Sequence, residues 1–359
     1  MQLRVLVLAL GALAGSAQPI STDRMRRVEA AVESERVRQG VVGLTAAVSV
    51  RGSKQWVGAF GKADLENDVA TKPGTLFRTG SLAKPFTAVA ALQLWERGRL
   101  DLDAPVQKYV PAFPEKPWRV TVRMLLGHLG GIRHYRGNEI DSTRHYEDIQ
   151  EPLKIFSADA LAHEPRTKYL YSSYGYNLAG AAVEGAAGVP FLAFLRENVL
   201  SVAKMESTRD DNAQEIVVNR TRWYSRTADG KVINARLADT SNKIPGGGLV
   251  TTAEDLLRFA AAWEQEQLLK RPTMQMQSER QKLADGSATG YGLGWNLSLI
   301  AGKRSISHSG SQQGCKTILA MFPEAKVTVA VLTNSDYADP AKFVGVILKA
   351  LEGAPARPN

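Results

Sequence analysis

Arg78-Thr79-Gly80-Ser81-Leu82-Ala83-Lys84-Pro85-Phe86-Thr87-Ala88 is the stretch from which the fold of this 359-residue chain is predicted. A loop is expected to end at Gly80, and apolar residues at helical spacing follow directly. Ser81 is therefore predicted at a helix N-terminus, where unpaired backbone N–H groups favour negative charge. Lys84 follows about one turn later on the same face, so its amine can reach the Ser81 hydroxyl. A desolvated lysine can take the proton of a serine and make it nucleophilic.

The pattern of serine and lysine is weak by itself, because four-residue patterns recur by chance in long chains. An N-cap serine and a solvated lysine would be the plain interpretation. Two later segments favour a catalytic one. They are Tyr171-Ser172-Ser173-Tyr174-Gly175-Tyr176-Asn177 and His308-Ser309-Gly310-Ser311.

Each later segment adds one kind of chemistry. A phenol such as that of Tyr171, held near a lysine ammonium, can lose its proton more easily and relay protons. His308 ends a short predicted strand, Ser305 to Ser309, whose free N–H groups could receive a carbonyl oxygen. Its imidazole could donate hydrogen bonds or carry charge. Taken singly, the tyrosine cluster would be read as a packed turn and the histidine as structural.

Composition indicates an ordinary globular chain, with 44% hydrophobic residues and a formal net charge of +9. The length allows one large domain or two. The densest basic stretch, Arg220 to Arg226, is interpreted as a solvent-facing hairpin, and nucleic-acid binding is not predicted because no such motif accompanies it. Cys315 has no partner in the chain for a disulfide and is expected in the core.

The N-terminus is predicted to be a secretory signal over residues 1–17. Arg4 precedes an apolar run from Val5 to Ala14, and Gly15-Ser16-Ala17 offers small residues for cleavage. An uncleaved anchor is a minor alternative, and no later stretch is apolar enough to span a membrane. The protein is expected to be periplasmic or secreted.

Strand patterns lie at both ends of the chain and helical patterns lie between them. We therefore predict an α+β fold in which both termini build one antiparallel sheet, flanked by helices, with a mostly helical insertion. The predicted domain covers residues 18–359. Its sheet part is about 22–80 and 250–359, and its helical part is about 81–249.

The order and spacing of the three motifs resemble those of the serine β-lactamase and penicillin-binding protein family, in its class C-like branch of esterases and peptidases. The likeness runs from about Arg38 to the C-terminus and includes the mitochondrial serine β-lactamase-like protease, although the signal favours an exported bacterial relative. Further segments carry it: Leu125-Leu126-Gly127-His128-Leu129-Gly130-Gly131-Ile132, Pro245-Gly246-Gly247-Gly248-Leu249-Val250-Thr251-Thr252-Ala253-Glu254-Asp255-Leu256 and Tyr291-Gly292-Leu293-Gly294-Trp295.

The resemblance implies a β-lactamase/transpeptidase-like fold and an acyl-enzyme formed on Ser81. It implies that Lys84 and Tyr171 share proton transfer and that His308 orients the substrate or the Tyr171 phenol. The backbone N–H groups of Ser81 and Ser311 would form the oxyanion hole, beside Gly310. His128 is expected to be structural, holding loops near the nucleophile.

Two departures from the family pattern bear on the substrate. Ser173 stands where many relatives have asparagine, and His308 stands where lactamases have lysine, so a dedicated β-lactamase is disfavoured. The preferred hypothesis is a peptidase and the next a carboxylesterase, with a small peptide, ester or β-lactam-like substrate. The alternative from another class is a non-catalytic scaffold that has lost turnover. No metal and no cofactor are predicted, and the sequence does not determine the oligomeric state.

Overall fold

The computed structural model describes residues 20–352, so the signal predicted over residues 1–17 lies outside them. Within this range the strands are β1 Gly43–Val50, β2 Ser53–Asp64, β3 Val69–Ala70, β4 Phe77–Arg78, β5 Arg209–Asp210, β6 Tyr224–Arg226, β7 Val232–Asn234, β8 Leu249–Thr251, β9 Asn296–Ile300, β10 Lys303–Gln312, β11 Cys315–Phe322 and β12 Val327–Thr333. The α-helices are α1 Thr22–Gln39, α2 Ala83–Glu96, α3 Val122–Leu126, α4 Ser173–Ala187, α5 Phe191–Leu195, α6 Ile244–Gly247, α7 Ala253–Glu264, α8 Arg271–Gln277 and α9 Pro340–Glu352.

The main sheet contains strands from both ends of the chain, as predicted. Its order is β3-β2-β1-β12-β11-β10-β9, and each neighbouring pair is antiparallel. The junction between the two ends is the pairing of β1 with β12, which runs from Leu44 opposite Thr333 to Val50 opposite Val327. Strand β10 is longer than the predicted Ser305 to Ser309, and this extension carries its C-terminal residues to the site.

Helices cover the sheet because its central strands β11 and β12 are buried along almost their whole length. Helices α1 and α9 pack together, and their apolar residues Val28, Val32, Phe343 and Ile347 join one core cluster. Helix α7 packs against β12 and β1. Its N-cap Thr252 accepts a hydrogen bond from the Asp255 backbone N–H, as the sequence Thr-x-x-Asp favours.

The central segment contains α2 to α6 together with short strands and long loops, and it encloses α2, whose residues from Ala83 to Leu94 are all buried. Helix α2 packs against α4 and α6. Short strands β4 and β8 pair with each other, so the two ends of the predicted helical segment lie side by side. This arrangement sets the start of α2, where Ser81 lies, against the edge of the sheet.

Two further features of the described chain bear on predictions made from the sequence. Only the end of the basic stretch, Tyr224–Arg226, forms β6, which pairs with β7 as a two-stranded hairpin. Within residues 20–352 no single helix is long and apolar enough to cross a membrane, and one pair, Ser173–Ala187 with Phe191–Leu200, passes that test only as two helices bent by 82°.

Candidate active site

Ser81 lies in a single 3₁₀ turn, Gly80–Leu82, that leads into α2. Gly80 has a φ of 50°, and a Cβ on it would lie 2.7 Å from the Ser311 backbone nitrogen. Glycine is required here for both reasons, since a side chain would be strained and would also collide with β10. The turn therefore brings the nucleophile directly against the strand that carries the third motif.

Lys84 is fully buried below Ser81. Its Nζ lies 3.0 Å from the Ser81 Oγ, 3.1 Å from the Ser173 Oγ and 2.7 Å from the Gly246 carbonyl oxygen. Desolvation lowers the pKa of Lys84 well below its usual value, and none of these partners is a carboxylate that would oppose it. A neutral amine can donate to the Gly246 carbonyl and accept the hydrogen bond of the Ser81 hydroxyl. The geometry fits the pairing of a candidate nucleophile with a candidate general base.

Tyr171 lies over the same amine, with the Lys84 Nζ 4.9 Å from its ring centroid. Burial raises the pKa of Tyr171 above its ordinary value, and a hydrogen bond with Ser81 opposes this only in part. The expectation that a nearby lysine ammonium eases the loss of the phenol proton is therefore wrong, because burial dominates and raises the pKa of Tyr171. The Tyr171 ring lies beside the Lys84 amine and lines the cavity into which Ser81 opens.

His308 lies behind the site and not in it. Its Nδ1 donates to the Ser309 carbonyl oxygen at 2.7 Å, and its Nε2 accepts from the Tyr291 hydroxyl at 2.8 Å. Desolvation, followed by repulsion from Lys84, lowers the pKa of His308 to about 3, so the ring is neutral. The expectations that His308 carries charge or contacts the substrate directly are therefore wrong. The His308 ring centroid lies 6.3 Å from that of Tyr171, and the imidazole supports the aromatic wall around that phenol.

The alternation of β10 explains this difference. Successive side chains of a strand point to opposite faces, so Ser309 and Ser311 face outward while His308 and Gly310 are buried. The residue predicted next to the oxyanion, Gly310, instead packs against the nucleophile turn: a Cβ on it would lie 2.0 Å from the Thr79 carbonyl oxygen. Ser311 remains on the exposed side, beyond Ser307, where the pairing of β10 with β9 ends.

Ser81 opens into a cavity of about 330 Å³. Of the predicted residues, Ser81, Tyr171, Ser173 and Ser311 line it, whereas Lys84, His308 and Gly310 do not. The remaining lining residues are Gly80, His134, Tyr135, Ile140, Lys243, Gly246, Gly247, Ser309 and Gln312. A larger cavity of about 830 Å³ borders β9 and contains none of the predicted site residues.

Five lining residues were not expected from the sequence: His134, Tyr135, Ile140, Lys243 and Gln312. The His134 Nδ1 accepts a hydrogen bond from the Ser173 backbone N–H at 3.2 Å, and desolvation lowers its pKa to about 4. The available signal for Lys243 was its place two residues before Pro245, where the segment singled out for its family likeness begins.

The floor of the site is held by a buried ion pair that precedes the nucleophile. The Arg78 Nε lies 2.7 Å from Asp211 Oδ2, and the Arg78 guanidinium also donates to the carbonyl oxygens of Gln313 and Ala238. Its plane lies 4.5 Å from the Trp223 ring. Arg78 thereby links three separate segments, those of Asp211, Ala238 and Gln313, to β4 just before the nucleophile turn.

His128 is structural in its contacts, as expected. It is buried, has a φ of 60°, and its Nδ1 accepts a hydrogen bond from the Ser172 backbone N–H at 3.1 Å. Its ring packs among Tyr169, Tyr171, Tyr176 and Tyr291. It holds the tyrosine segment in place. Over residues 20–352, no cluster of three His, Cys, Asp or Glu side chains is arranged to hold a metal ion.

The chain is similar to several known proteins and solved structures. The human protein described as serine beta-lactamase-like protein LACTB, mitochondrial, is 30% identical over 62% of this chain, which spans about half (53%) of that relative's length. Penicillin-binding protein 4* of Bacillus subtilis is 28% identical over 82% of this chain and 68% of its own. The crystal structure of D-amino acid amidase from Ochrobactrum anthropi SV3 superposes with a TM-score of 0.80 over 92% of this chain and 99% of that one, at 24% identity, which supports the fold alone.

The chain thus has the β-lactamase/transpeptidase-like architecture, with a serine and a buried lysine in contact at its candidate active site. The protein-family model described as Beta-lactamase matches residues 26–352, and the chain belongs to that family.

Proposed function

We propose that this protein cleaves amide or ester bonds through an acyl-enzyme on Ser81 and that it acts as a peptidase. The observation that carries the proposal is the 3.0 Å contact between the Ser81 Oγ and the fully buried Nζ of Lys84. Burial lowers the pKa of this amine, so it gives up its proton more readily than an exposed lysine and is the better candidate for a base.

In the proposed first step Lys84 takes the Ser81 proton while the Oγ attacks the substrate carbonyl carbon. The resulting oxyanion would lie against the backbone N–H groups of Ser81 and Ser311, at about 3 kcal/mol for each donor. As the bond to the leaving group breaks, a proton passes to that group from Tyr171, which is kept protonated by burial and is reprotonated by Lys84. Water then attacks the acyl carbon, giving the carboxylic acid and free Ser81.

The choice of a peptidase rests on the chemistry around Ser81 and not on any single relative. Ser173 contributes a hydroxyl to Lys84 where an asparagine amide would contact a lactam, and His308 contributes no cation to the site. Both features support open-chain substrates over β-lactams. Carboxyl esters react by the same route and are the second substrate class.

We also propose that the protein is exported, on the strength of the apolar run after Arg4 and the small residues before Gln18. N-terminal sequencing of the protein recovered outside the cytoplasm tests this. Sequencing that begins near Gln18 is expected, and recovery of full-length protein only from the cytoplasm would contradict it.

The catalytic proposal is tested by intact-protein mass after brief exposure to p-nitrophenyl acetate and to benzylpenicillin. Wild type is expected to gain an acetyl group that decays within the assay, together with repeated release of nitrophenol. Ser81→Ala should keep its thermal melting and gain no mass.

A penicilloyl adduct that decays as fast as the acetyl adduct would move the assignment to a β-lactamase. Absence of any adduct on folded wild-type protein would support the non-catalytic scaffold. Nitrophenol release at the wild-type rate by Ser81→Ala would contradict the proposed nucleophile.

A further inference from the structure

Lys243 is a buried lysine on the wall of the Ser81 cavity that the proposed chemistry does not use. It ends the 3₁₀ turn Ser241–Lys243, directly before α6, whose Gly246 carbonyl binds Lys84. Its side chain is 2% exposed, and it lines the same 330 Å³ cavity as Ser81.

The ammonium of Lys243 has fewer hydrogen-bond partners in the protein than it has donors. It donates one hydrogen bond, to the Ile140 carbonyl oxygen at 2.6 Å, and lies 5.7 Å from the Tyr135 ring centroid. A lysine ammonium has three N–H donors. Within residues 20–352 it forms no ion pair with a carboxylate, so part of its hydrogen-bonding capacity is left for a group in the cavity.

The nearest carboxylates are already engaged elsewhere. Asp211 accepts from Arg78 and, at 3.1 Å, from Arg220, while Asp141 accepts from Arg236 at 3.1 Å and from Gln313. Desolvation, followed by repulsion from Arg78, lowers the pKa of Lys243 to about 8, and the two carboxylates together with Cys315 oppose that shift. Lys243 is therefore still mostly cationic at neutral pH.

The rest of the lining offers no competing charge. None of its residues is acidic, and His134 is neutral because its pKa lies at about 4. Lys243 is thus the cation that sets the electrostatic character of this cavity. A charge-assisted hydrogen bond in such a buried place is among the stronger polar contacts in proteins.

We propose that Lys243 binds a carboxylate of the substrate and so selects peptides or depsipeptides whose carboxylate lies close to the bond that Ser81 attacks. This deepens the proposed function and rests on it. Because Lys243 and Ser81 border one small cavity, the carboxylate would lie within about one or two residues of the scissile carbonyl. Cleavage would then remove a C-terminal residue, and amidated C-termini would be poor substrates.

The test measures binding separately from turnover. Hippuryl-phenyllactic acid and hippuryl-phenyllactamide share one scissile ester and differ only in the carboxylate. Their affinities are measured by calorimetry on Ser81→Ala, which cannot be acylated, and on Ser81→Ala combined with Lys243→Met. The acid is expected to bind the single variant about 10- to 100-fold more tightly than the amide, and the double variant with no preference.

Lys349→Met, in the same Ser81→Ala background, is the control for losing one positive charge, since Lys349 is exposed on α9 far along the chain. It should keep the preference for the acid. Lys243→Gln provides a polar replacement of similar length if the methionine variant melts at a lower temperature.

Three outcomes would overturn the proposal: equal binding of acid and amide by Ser81→Ala, a preference that survives both Lys243 substitutions, or an equal loss of affinity for the two ligands. The last would mean that Lys243 only holds the Ile140 loop. Failure of the proposed function is distinguishable, because wild type would then gain no acetyl group from p-nitrophenyl acetate whatever the binding preference.

Discussion

Lys84 shows how one residue acquires its chemistry from burial. On an exposed helix it would be a solvated cation, but here its amine contacts two hydroxyls and one carbonyl oxygen and reaches no carboxylate. Desolvation therefore works unopposed on its pKa. The same enclosure raises the pKa of Tyr171, which suits the roles of base for Lys84 and acid for Tyr171 in the proposed function.

Lys84→Arg should abolish most of the activity although it keeps a long basic side chain. A guanidinium cannot give up its proton in a protein and so cannot act as the base. The fall in kcat for p-nitrophenyl acetate should be about 10²- to 10⁴-fold, the usual contribution of a general base. Lys349→Arg serves as control, and a Lys84→Arg enzyme with near wild-type kcat would exclude Lys84 as the base.

His308 should make stability depend on pH. Its pKa is about 3 in the folded protein against an ordinary 6.5, so between these values the unfolded chain binds a proton that the folded form does not. Stability from this group is thus lost as the pH falls from 6.5 toward 3. His308→Asn removes this pH-dependent loss. The difference in free energy of unfolding between wild type and His308→Asn, measured in urea, should therefore be smaller at pH 4.5 than at pH 7.5. A constant difference across that range would contradict the assigned neutral ring.

At the scale of elements, the site depends on the contact between β10 and the nucleophile turn. The Thr317 Oγ1 donates to the Thr79 carbonyl oxygen at 2.8 Å, and Gly310 lies against the same carbonyl. The helix start and the strand edge therefore approach as backbone against backbone. This closeness places Ser81 beside Ser311.

Gly310→Ala should separate these two elements. Its Cβ would lie 2.0 Å from the Thr79 carbonyl oxygen and 2.2 Å from the Thr317 Oγ1, neither of which is a flexible side-chain end. We expect a loss of about 1–3 kcal/mol in the free energy of unfolding and a lower kcat, because overpacking displaces the strand. Thermal melting and the p-nitrophenyl acetate rate measure both.

Gly290→Ala is the matched control, since a Cβ there meets nothing within 4 Å. Its stability should stay within about 0.5 kcal/mol of wild type. Equal stability and kcat for Gly310→Ala and wild type would show that the strand does not need this close approach.

At the scale of the whole molecule, Asn334 joins distant parts of the chain behind the sheet. Its fully buried side chain accepts from the Gly43 backbone N–H at 2.8 Å and donates to the Lys62 carbonyl oxygen and the Thr221 hydroxyl at 3.0 and 2.9 Å. It thereby connects the first hairpin, the last strand and the loop before β6.

Asn334→Ala should reduce the free energy of unfolding by about 2–4 kcal/mol, because it leaves a buried N–H and a buried carbonyl without partners. Urea unfolding followed by tryptophan fluorescence and by circular dichroism measures the change. Asn67→Ala, at an exposed position, is the control. A cost no larger than that of the control would mean that water replaces the amide at this junction.

Much of the fold followed from local patterns. Strands lie at both ends of the chain and join in one antiparallel sheet, as predicted, and β1 and β2 are linked by a tight turn that contains Gly52. Ser81 and Lys84 were also predictable, because one helical turn links them whatever surrounds the helix. Periodicity and spacing act over a few residues, and these features depend on nothing more.

The tertiary structure decided the electrostatic environment of the site residues and which residues line the cavity. The alternation of β10 could have shown that His308 and Ser311 face opposite sides, but only packing reveals that Tyr291 binds the imidazole. Lys243 lines the same cavity as Ser81 although 162 positions of sequence separate them, and its surroundings depend on which carboxylates are already paired. Burial and the arrangement of distant charges are properties of the assembled core, so local sequence determined the reacting pair and tertiary structure determined its surroundings.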